Sequence, residues 1–326
     1  MQQVTAISYH NTIKDLQDLD WQAEGPFARL EWFRLLEQSG TAPVYAVARE
    51  GDEGVVLPLC RRGTRLEALT NWYAFTWSDL RTSGMSGDAM FEQLPRDLAG
   101  HAARIDFAKV PDENGIADRL ESAFRGAGWK VLRFATDINH ILRVNGRSYA
   151  DYLAERPGAV RTTLKRKASK VEVSLTTLFC AEDWADYEDI YADSWKPEEG
   201  DPALLRRFAE AESAAGRFRF GIARHNGTPV AAQFWTVDGG TAYIHKLAHR
   251  ISSRPFSPGT VLTAALFEHV IDTDGVALID FGTGDDPYKA DWMEEVRTRF
   301  QLTCLRPWSP RNWPTLGKAA LRKLVR

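Results

Sequence analysis

One phrase occurs twice in this chain, and it narrows the fold more than any other feature. Pro43 to Arg49 is an alternating, β-branched run that passes through a Gly-bearing turn into Gly54 to Leu59. Phe218 to Arg224 runs into His225-Asn226-Gly227-Thr228 and returns along Pro229 to Val237. Period-two alternation closed by residues that accept positive φ predicts a β-hairpin in each place. Both copies set an Ala-Arg pair just before the turn, Ala48-Arg49 and Ala223-Arg224, 175 positions apart. Such a pair is the mark of a duplicated domain or of two independent hairpins of a common type. A length of 326 residues suits two domains of about 150 residues each.

Around these hairpins the pattern is α/β. A helix is expected around Phe27 to Gln38, ahead of the first hairpin. After the second, strand Thr241 to Ala248, helix Val261 to Asp272 and strand Val276 to Phe281 follow, and helix Pro202 to Ala215 precedes it. Mixed, mostly antiparallel sheets flanked by helices are the expected architecture. Asn145-Gly146 reads as a turn and Ser148 as the N-cap of a helix over Tyr149 to Glu155, which sets a domain boundary. The expected organisation is therefore 1–145, 146–310 and a C-terminal helix over 311–326.

Composition removes several classes. At 44% hydrophobic and 26% charged residues the chain is neither disordered nor fibrous. A net charge of -3 disfavours nucleic-acid binding. Cys60, Cys180 and Cys304 lie far apart without metal-ligand spacing, so reduced thiols and no metal are expected. Asp15, Asp18 and Asp20 fall where a signal peptide needs an apolar core, and no apolar run is long enough to span a bilayer, so a cytoplasmic protein is expected. The 11 Trp and 16 Phe exceed what a core of this size requires, which suggests a groove for an apolar ligand.

Charge is unevenly distributed. Arg161, Lys165, Arg166, Lys167 and Lys170 form a basic stretch after Pro157-Gly158, either a solvated face or a place that meets anions. From Glu182 to Asp201 there are nine acids and one lysine, on what reads as the outer face of a packed helix. Ser257-Pro258-Gly259-Thr260 opens the amphipathic helix, and a turn of that composition aims backbone N–H groups at a helix N-terminus, where phosphates bind. Downstream, Asp280-Phe281-Gly282-Thr283-Gly284-Asp285-Asp286-Pro287-Tyr288-Lys289 puts a carboxylate, a phenol and an ammonium at a strand's end. A Ca²⁺ loop would need EF-hand spacing and a terminal Glu, and it has neither.

The pair "SPGTVLTAALFEHVI" and "DFGTGDDPYKADWM", preceded by a strand carrying "YIHKLAH", resembles the GNAT-superfamily acyltransferases of the FemAB-like and CelD-like branch. The resemblance runs from about Ser148 to Arg306 and extends to "LPL" at Leu57 to Leu59 and "NWY" at Asn71 to Tyr73. It implies tandem GNAT-like domains, the second binding an acyl-coenzyme A donor, with Tyr243, Lys246, Leu247 and Ala248 along the pantetheine arm. Arg254, Ser257, Pro258, Gly259 and Thr260 would then meet the pyrophosphate. The usual Gln/Arg-x-x-Gly-x-Gly/Ala fingerprint is replaced here by a Pro-containing turn from Arg254 to Gly259. Trp195, within Ser194-Trp195-Lys196, resembles a family phrase and is a candidate wall of the acceptor pocket.

The implied reaction is direct attack of a primary amine on a thioester, with no covalent enzyme intermediate. It needs a base, polarising amides and a proton for the leaving thiolate. His245 is the first candidate base, because imidazole titrates near neutrality. Asp285 is the second, Tyr288 the candidate proton donor, and Lys289 a holder of an anionic group. Gln233 is a candidate substrate contact, and Arg161, Lys165 and Arg166 are candidates for donor or acceptor phosphates. From Arg297 to Arg326 there are eight Lys or Arg and no acid, with Trp308 and Trp313 ahead of an amphipathic helix over Thr315 to Arg326. Such a tail suits an anionic membrane surface at the cytoplasmic face. Three functions follow: N-acyl transfer from acyl-CoA to the amine of a lipid precursor such as a long-chain base, of a sugar or of a cell-envelope precursor; Fem-type aminoacyl transfer from tRNA; and non-catalytic ligand binding.

Overall fold

The computed structural model describes residues 5–84 and 87–324, with side chains through Leu321. Its principal elements, in chain order, are β1 (Ala6–His10), β2 (Trp21–Gln22), α1 (Leu30–Gln38), β3 (Pro43–Glu50), β4 (Glu53–Arg62), β5 (Arg65–Ala68), β6 (Leu80–Thr82), α2 (Gly87–Leu98), β7 (Arg104–Pro111), α3 (Ile116–Gly126) and β8 (Lys130–Arg143). They continue as α4 (Tyr149–Ala154), α5 (Gly158–Lys167), β9 (Glu172–Thr176), α6 (Ala181–Ala192), α7 (Pro202–Ala214), β10 (Phe218–His225), β11 (Thr228–Asp238), β12 (Thr241–His249), α8 (Pro258–Glu268), β13 (Leu278–Thr283), α9 (Pro287–Ala290), β14 (Glu295–Leu305) and α10 (Trp313–Leu324).

The chain forms two units, Met1–Ile138 with Arg297–Arg326, and Asn139–Val296. The division therefore falls at 138/139 where the sequence pointed to 145/146, and the tail from Arg297 belongs to the first unit. The reason is strand pairing at long range: Arg299 to Leu305 of β14 run antiparallel to Pro111 to Arg104 of β7. The expected turn is present one element later, with Asn145 and Gly146 both at positive φ. Ser148 caps α4 through a reciprocal bond with Asp151, satisfying N–H groups that a helix start leaves open.

Both expected hairpins form. β3 and β4 pair from Pro43↔Cys60 to Glu50↔Glu53, and β10 and β11 close at Asn226-Gly227, with φ of 50° and 76°. In the first unit β5 and β7 run parallel only over Leu66-Glu67 and Ile105-Asp106. Beside this pairing, segment 69–77 bonds to β4 and β7. Trp77 donates its amide to the Lys109 carbonyl and its indole N–H to that of Pro58 at 2.9 Å, and Lys109 Nζ donates to the carbonyls of Asn71 and Ala74 at 2.8 and 2.7 Å.

The second unit orders its strands β8-β13-β12-β11-β10-β9, with β12 and β13 parallel and the other neighbours antiparallel. Strand alternation sends neighbouring residues of β10 to opposite faces. Phe218 and Phe220 stack with Phe234 and Trp184 under α6, whereas a Cβ on Gly221 would lie 2.8 Å from Leu262 of α8. The aromatic surplus thus goes largely into cores: Trp32, Trp77, Trp184 and Trp235 are fully buried. Exceptions include Trp72 and Trp195 and, near the C-terminus, Trp308 and Trp313, which are 84% and 59% exposed. The last two residues of the expected terminal helix lie outside the described residues.

Candidate active site

β12 and β13 pair over Thr241–Tyr243 against Leu278–Asp280, and among the described residues their pairing ends there. Two parallel strands that part in this way leave backbone N–H and C=O groups facing an open wedge, and such groups need partners. Beside the wedge, α8 starts at Ser257, whose φ of +51° places it in the left-handed region and whose side chain makes no capping bond. Helix α8 thus presents first-turn amides without a side-chain cap, which favours an anion. A Cβ on Gly259 would come 3.3 Å from the His249 ring, so a larger residue there would press on that ring.

Gln233, expected to touch substrate, is instead buried and spent on the protein. Its amide donates to the Gly259 carbonyl at 3.2 Å and to Thr263 Oγ1 at 2.7 Å, and it accepts from the Trp235 indole at 2.9 Å. It locks the start of α8 onto β11. Trp195, 42% exposed, stacks on His249 with ring centroids 4.4 Å apart, which brings the Ser194-Trp195-Lys196 phrase to the same corner. Burial pulls the His249 imidazole below its ordinary range, and the cations Arg254 and Lys196 add to this.

His245 is the extra residue of a β-bulge: Phe234 pairs with Lys246 and Trp235 with Ile244. Its Nε2 is 2.8 Å from Thr236 Oγ1, and its ring packs on Phe208 and Phe234. Asp285 has a different partner, His140 Nε2 at 3.0 Å, with His140 buried and Asp285 exposed. The sequence reading missed His140, which β8 supplies by pairing with β13 across about 140 residues of chain. Asp280, at the last paired position, accepts from the Gly282 amide at 2.7 Å and from Asn139.

Three lysines meet at the mouth of the wedge. Lys289 is buried, and its Nζ donates to the carbonyls of Thr283, Gly284 and Gly282 at 2.6, 3.1 and 3.4 Å, tying down a turn in which both glycines have positive φ. Tyr288 packs on Phe281, and burial, with Asp286, raises its phenol above the ordinary range. Lys246 points to the α6 face, 2.7 Å from Glu199 Oε1 and 5.2 Å from the Tyr191 ring. Glu199 also accepts from Tyr187 at 2.9 Å. Lys196, the one cation of the acidic stretch, is brought down to about 8 by burial and by the ammonium groups of Lys246 and Lys289, against the opposing pull of Asp286 and Glu199. Leu247 and Ala248 are buried, and Tyr243 is half-buried at the point of divergence. Arg161, Lys165 and Arg166 are exposed on α5; the Arg161 guanidinium donates to the Arg156 carbonyl.

Residues 154–290 match the family model described as an acetyltransferase (GNAT) domain. The second unit is a GNAT domain. Solved structures with the same fold include FemX (TM-score 0.63, 10% identity, 90% of this chain and 96% of that one), L-PGS from Bacillus licheniformis (0.58, 11%, 86% and 88%) and a tandem GNAT protein from the clavulanic acid biosynthesis pathway (0.50, 13%, 91% and 98%). The FemAB-like branch that the motifs resemble fits these neighbours. Among curated proteins none matches the chain significantly. Among the described residues no helix is long and apolar enough to cross a membrane, and no group of His, Cys, Asp and Glu could hold a metal ion.

Proposed function

We propose that the GNAT domain transfers an acyl group from a coenzyme A thioester to a primary amine of a lipid, sugar or cell-envelope precursor by direct attack. The observation that carries this reading is the wedge between β12 and β13 with the uncapped start of α8 beside it. In this arrangement the facing edges of β12 and β13, which no longer pair with each other beyond Tyr243 and Asp280, offer bonds to the amides of a pantetheine arm, and the amides of Gly259 and Thr260 face its pyrophosphate. Calorimetry with coenzyme A, acetyl-CoA and a long-chain acyl-CoA tests it, since a native-state ligand also raises the melting temperature. In Gly259→Asp, the new carboxylate sits at the anion site and its Cβ crowds His249; coenzyme A affinity is expected to fall at least about tenfold, roughly 1.4 kcal/mol. Unchanged affinity would place the donor elsewhere. Absence of binding by all three would move the search to aminoacyl-tRNA or a carrier protein.

The C-terminal segment supports a peripheral membrane contact. Trp308, Trp313 and Leu321 are exposed, and Arg306, Arg311 and Lys318 lie on the same short stretch. Vesicles rich in phosphatidylglycerol should sediment the protein at low salt, and vesicles of phosphatidylcholine alone should not. Retention on neither kind of vesicle would remove the contact.

A further inference from the structure

Helix α5 and the single turn Ala168–Lys170 behind it carry Lys165, Arg166, Lys167 and Lys170, and positions 156–171 contain no Asp or Glu. Among the described residues none of these four side chains forms an ion pair or a hydrogen bond, whereas Arg147, Arg219 and Arg224 are held by Glu294, Asp274 and Asp186. Val160 and Leu164 anchor α5 in the core that it shares with α8, which leaves Lys165, Arg166 and Lys170 exposed. The patch reaches the start of α8. The Lys170 carbonyl lies 2.7 Å from Nδ1 of His225, whose ring stacks on Phe256 with centroids 3.9 Å apart, and Ser257 follows at once. In the same segment Arg254 is exposed and, among the described residues, has no ion pair, and Ile251 is 49% exposed. The first turn of α8 offers few donors of its own. Pro258 has no N–H and the Val261 N–H is bonded to the Ser257 carbonyl at 3.2 Å, so the amides of Gly259 and Thr260 remain. Two amides suffice for one phosphodiester, the only phosphate of a pantetheine arm attached to a protein serine.

On the reading that the wedge takes a pantetheine thioester, we propose that an acidic acyl carrier protein delivers it by docking on α5. The carrier's acidic helix lies along Lys165, Arg166, Lys167 and Lys170, with Arg254 at the near end and Ile251 as the apolar contact. Its phosphopantetheine arm passes over Gly259 and Thr260 into the wedge, and coenzyme A fills the wedge without using α5. The transfer balances as it does with coenzyme A. The acceptor nitrogen bonds to the thioester carbon and the C–S bond breaks. Of the two protons that the acceptor ammonium loses, one goes to the thiolate of the arm and the other to water. The size and borders of the patch favour one helix of a small protein over RNA. At about 1.5 Å per residue α5 is about 15 Å long. Asp189 and Asp193, both exposed, border it where they pair with Arg250 and where the Asp193 carbonyl accepts from the Ile251 amide. A long polyanion laid over this face would meet those carboxylates.

Calorimetry with a purified acyl carrier protein of fatty acid synthesis, in holo and apo forms, tests this beside coenzyme A and unfractionated tRNA. Holo-carrier should bind, apo-carrier should bind more weakly, and both should weaken as salt rises from about 50 to about 300 mM. Lys165→Glu/Arg166→Glu should weaken holo-carrier binding at least about thirtyfold and change coenzyme A affinity less than about twofold. Lys165→Ala/Arg166→Ala keeps a high helix propensity and should weaken it at least about fivefold, so the test stands even where the charge reversal disturbs α5. Coenzyme A binding without carrier binding would overturn the docking face and leave the wedge reading intact. An equal loss of coenzyme A affinity in both variants would also overturn it, because the cations would then serve the 3′-phosphate of coenzyme A. Preference for tRNA would overturn the class of partner. Carrier binding that depends on Lys165 and Arg166, with no binding of coenzyme A and no difference between holo and apo forms, would uphold the face and sink the wedge reading alone.

Discussion

Replacing Lys289 with methionine is expected to lower kcat/KM at least about a hundredfold and to cost about 3 kcal/mol of stability. Methionine fills a similar volume but donates no hydrogen bond. The carbonyls of Gly282, Thr283 and Gly284 would then lose the ammonium on which they converge. An unsatisfied buried carbonyl costs about 1–3 kcal/mol, and partial entry of water keeps the sum below three full penalties. The turn itself is unfavourable without the clamp, because Gly282 and Gly284 both hold positive φ and carry the entropy cost of glycine. Asp285 and Asp286 follow this turn directly, so its relaxation would separate Asp285 from His140. Thermal unfolding and steady-state rates check the two halves independently. Lower stability with an unchanged rate would leave Lys289 as a structural clamp and nothing more.

The second large effect is a gain in stability from removing one charge. Lys196 titrates at about 8, below the ordinary lysine value of 10.5, because burial and two neighbouring cations disfavour its charge. A lysine depressed in the folded state binds its proton more weakly there than in the unfolded chain. The unfolded chain therefore holds more protons between pH 8 and 10.5, and stability rises with pH across that window. Below pH 8 the full cost is present. Discounted for the partial exposure of the side chain, that cost is about 2 kcal/mol. Lys196→Met is thus expected to be more stable than the parent at pH 7 by about 2 kcal/mol, a difference that fades as pH approaches 10.5. Denaturant unfolding at pH 7 and pH 10 measures it. A variant less stable than the parent at pH 7 would show that the lysine is well paired.

The behaviour of particular residues shows what was legible in advance. Both hairpins were readable because alternation and an Asn-Gly or Gly-bearing turn are local signals, decided within about ten residues. Ser148 as an N-cap, the Ser257-Pro258-Gly259 helix start and the Gly282–Gly284 turn were readable for the same reason. Gln233 was misassigned because a polar residue in an apolar strand looks alike whether it faces a ligand or bonds to a neighbouring helix. His245 sits on a bulge, and one added residue changes which way a strand side chain points without any change of composition. Lys196 had one signal, a lone cation among nine acids, but its neighbours Lys246 and Lys289 come from elements 50 and 93 positions away.

By itself, then, the sequence determined the hairpins, the helix starts and the turn chemistry of this protein, since each depends on φ preferences and hydrogen bonds within a few residues. Its short, contiguous motifs also carried the resemblance to GNAT acyltransferases that the family model bears out over residues 154–290. Tertiary structure alone decided that β14 returns to the first unit, that segment 69–77 bonds to β4 and β7, that His140 meets Asp285 and that Lys246 and Lys289 act on Lys196. Those outcomes rest on contacts between residues far apart in the chain, and no local pattern encodes which distant partner a strand or a charge will find.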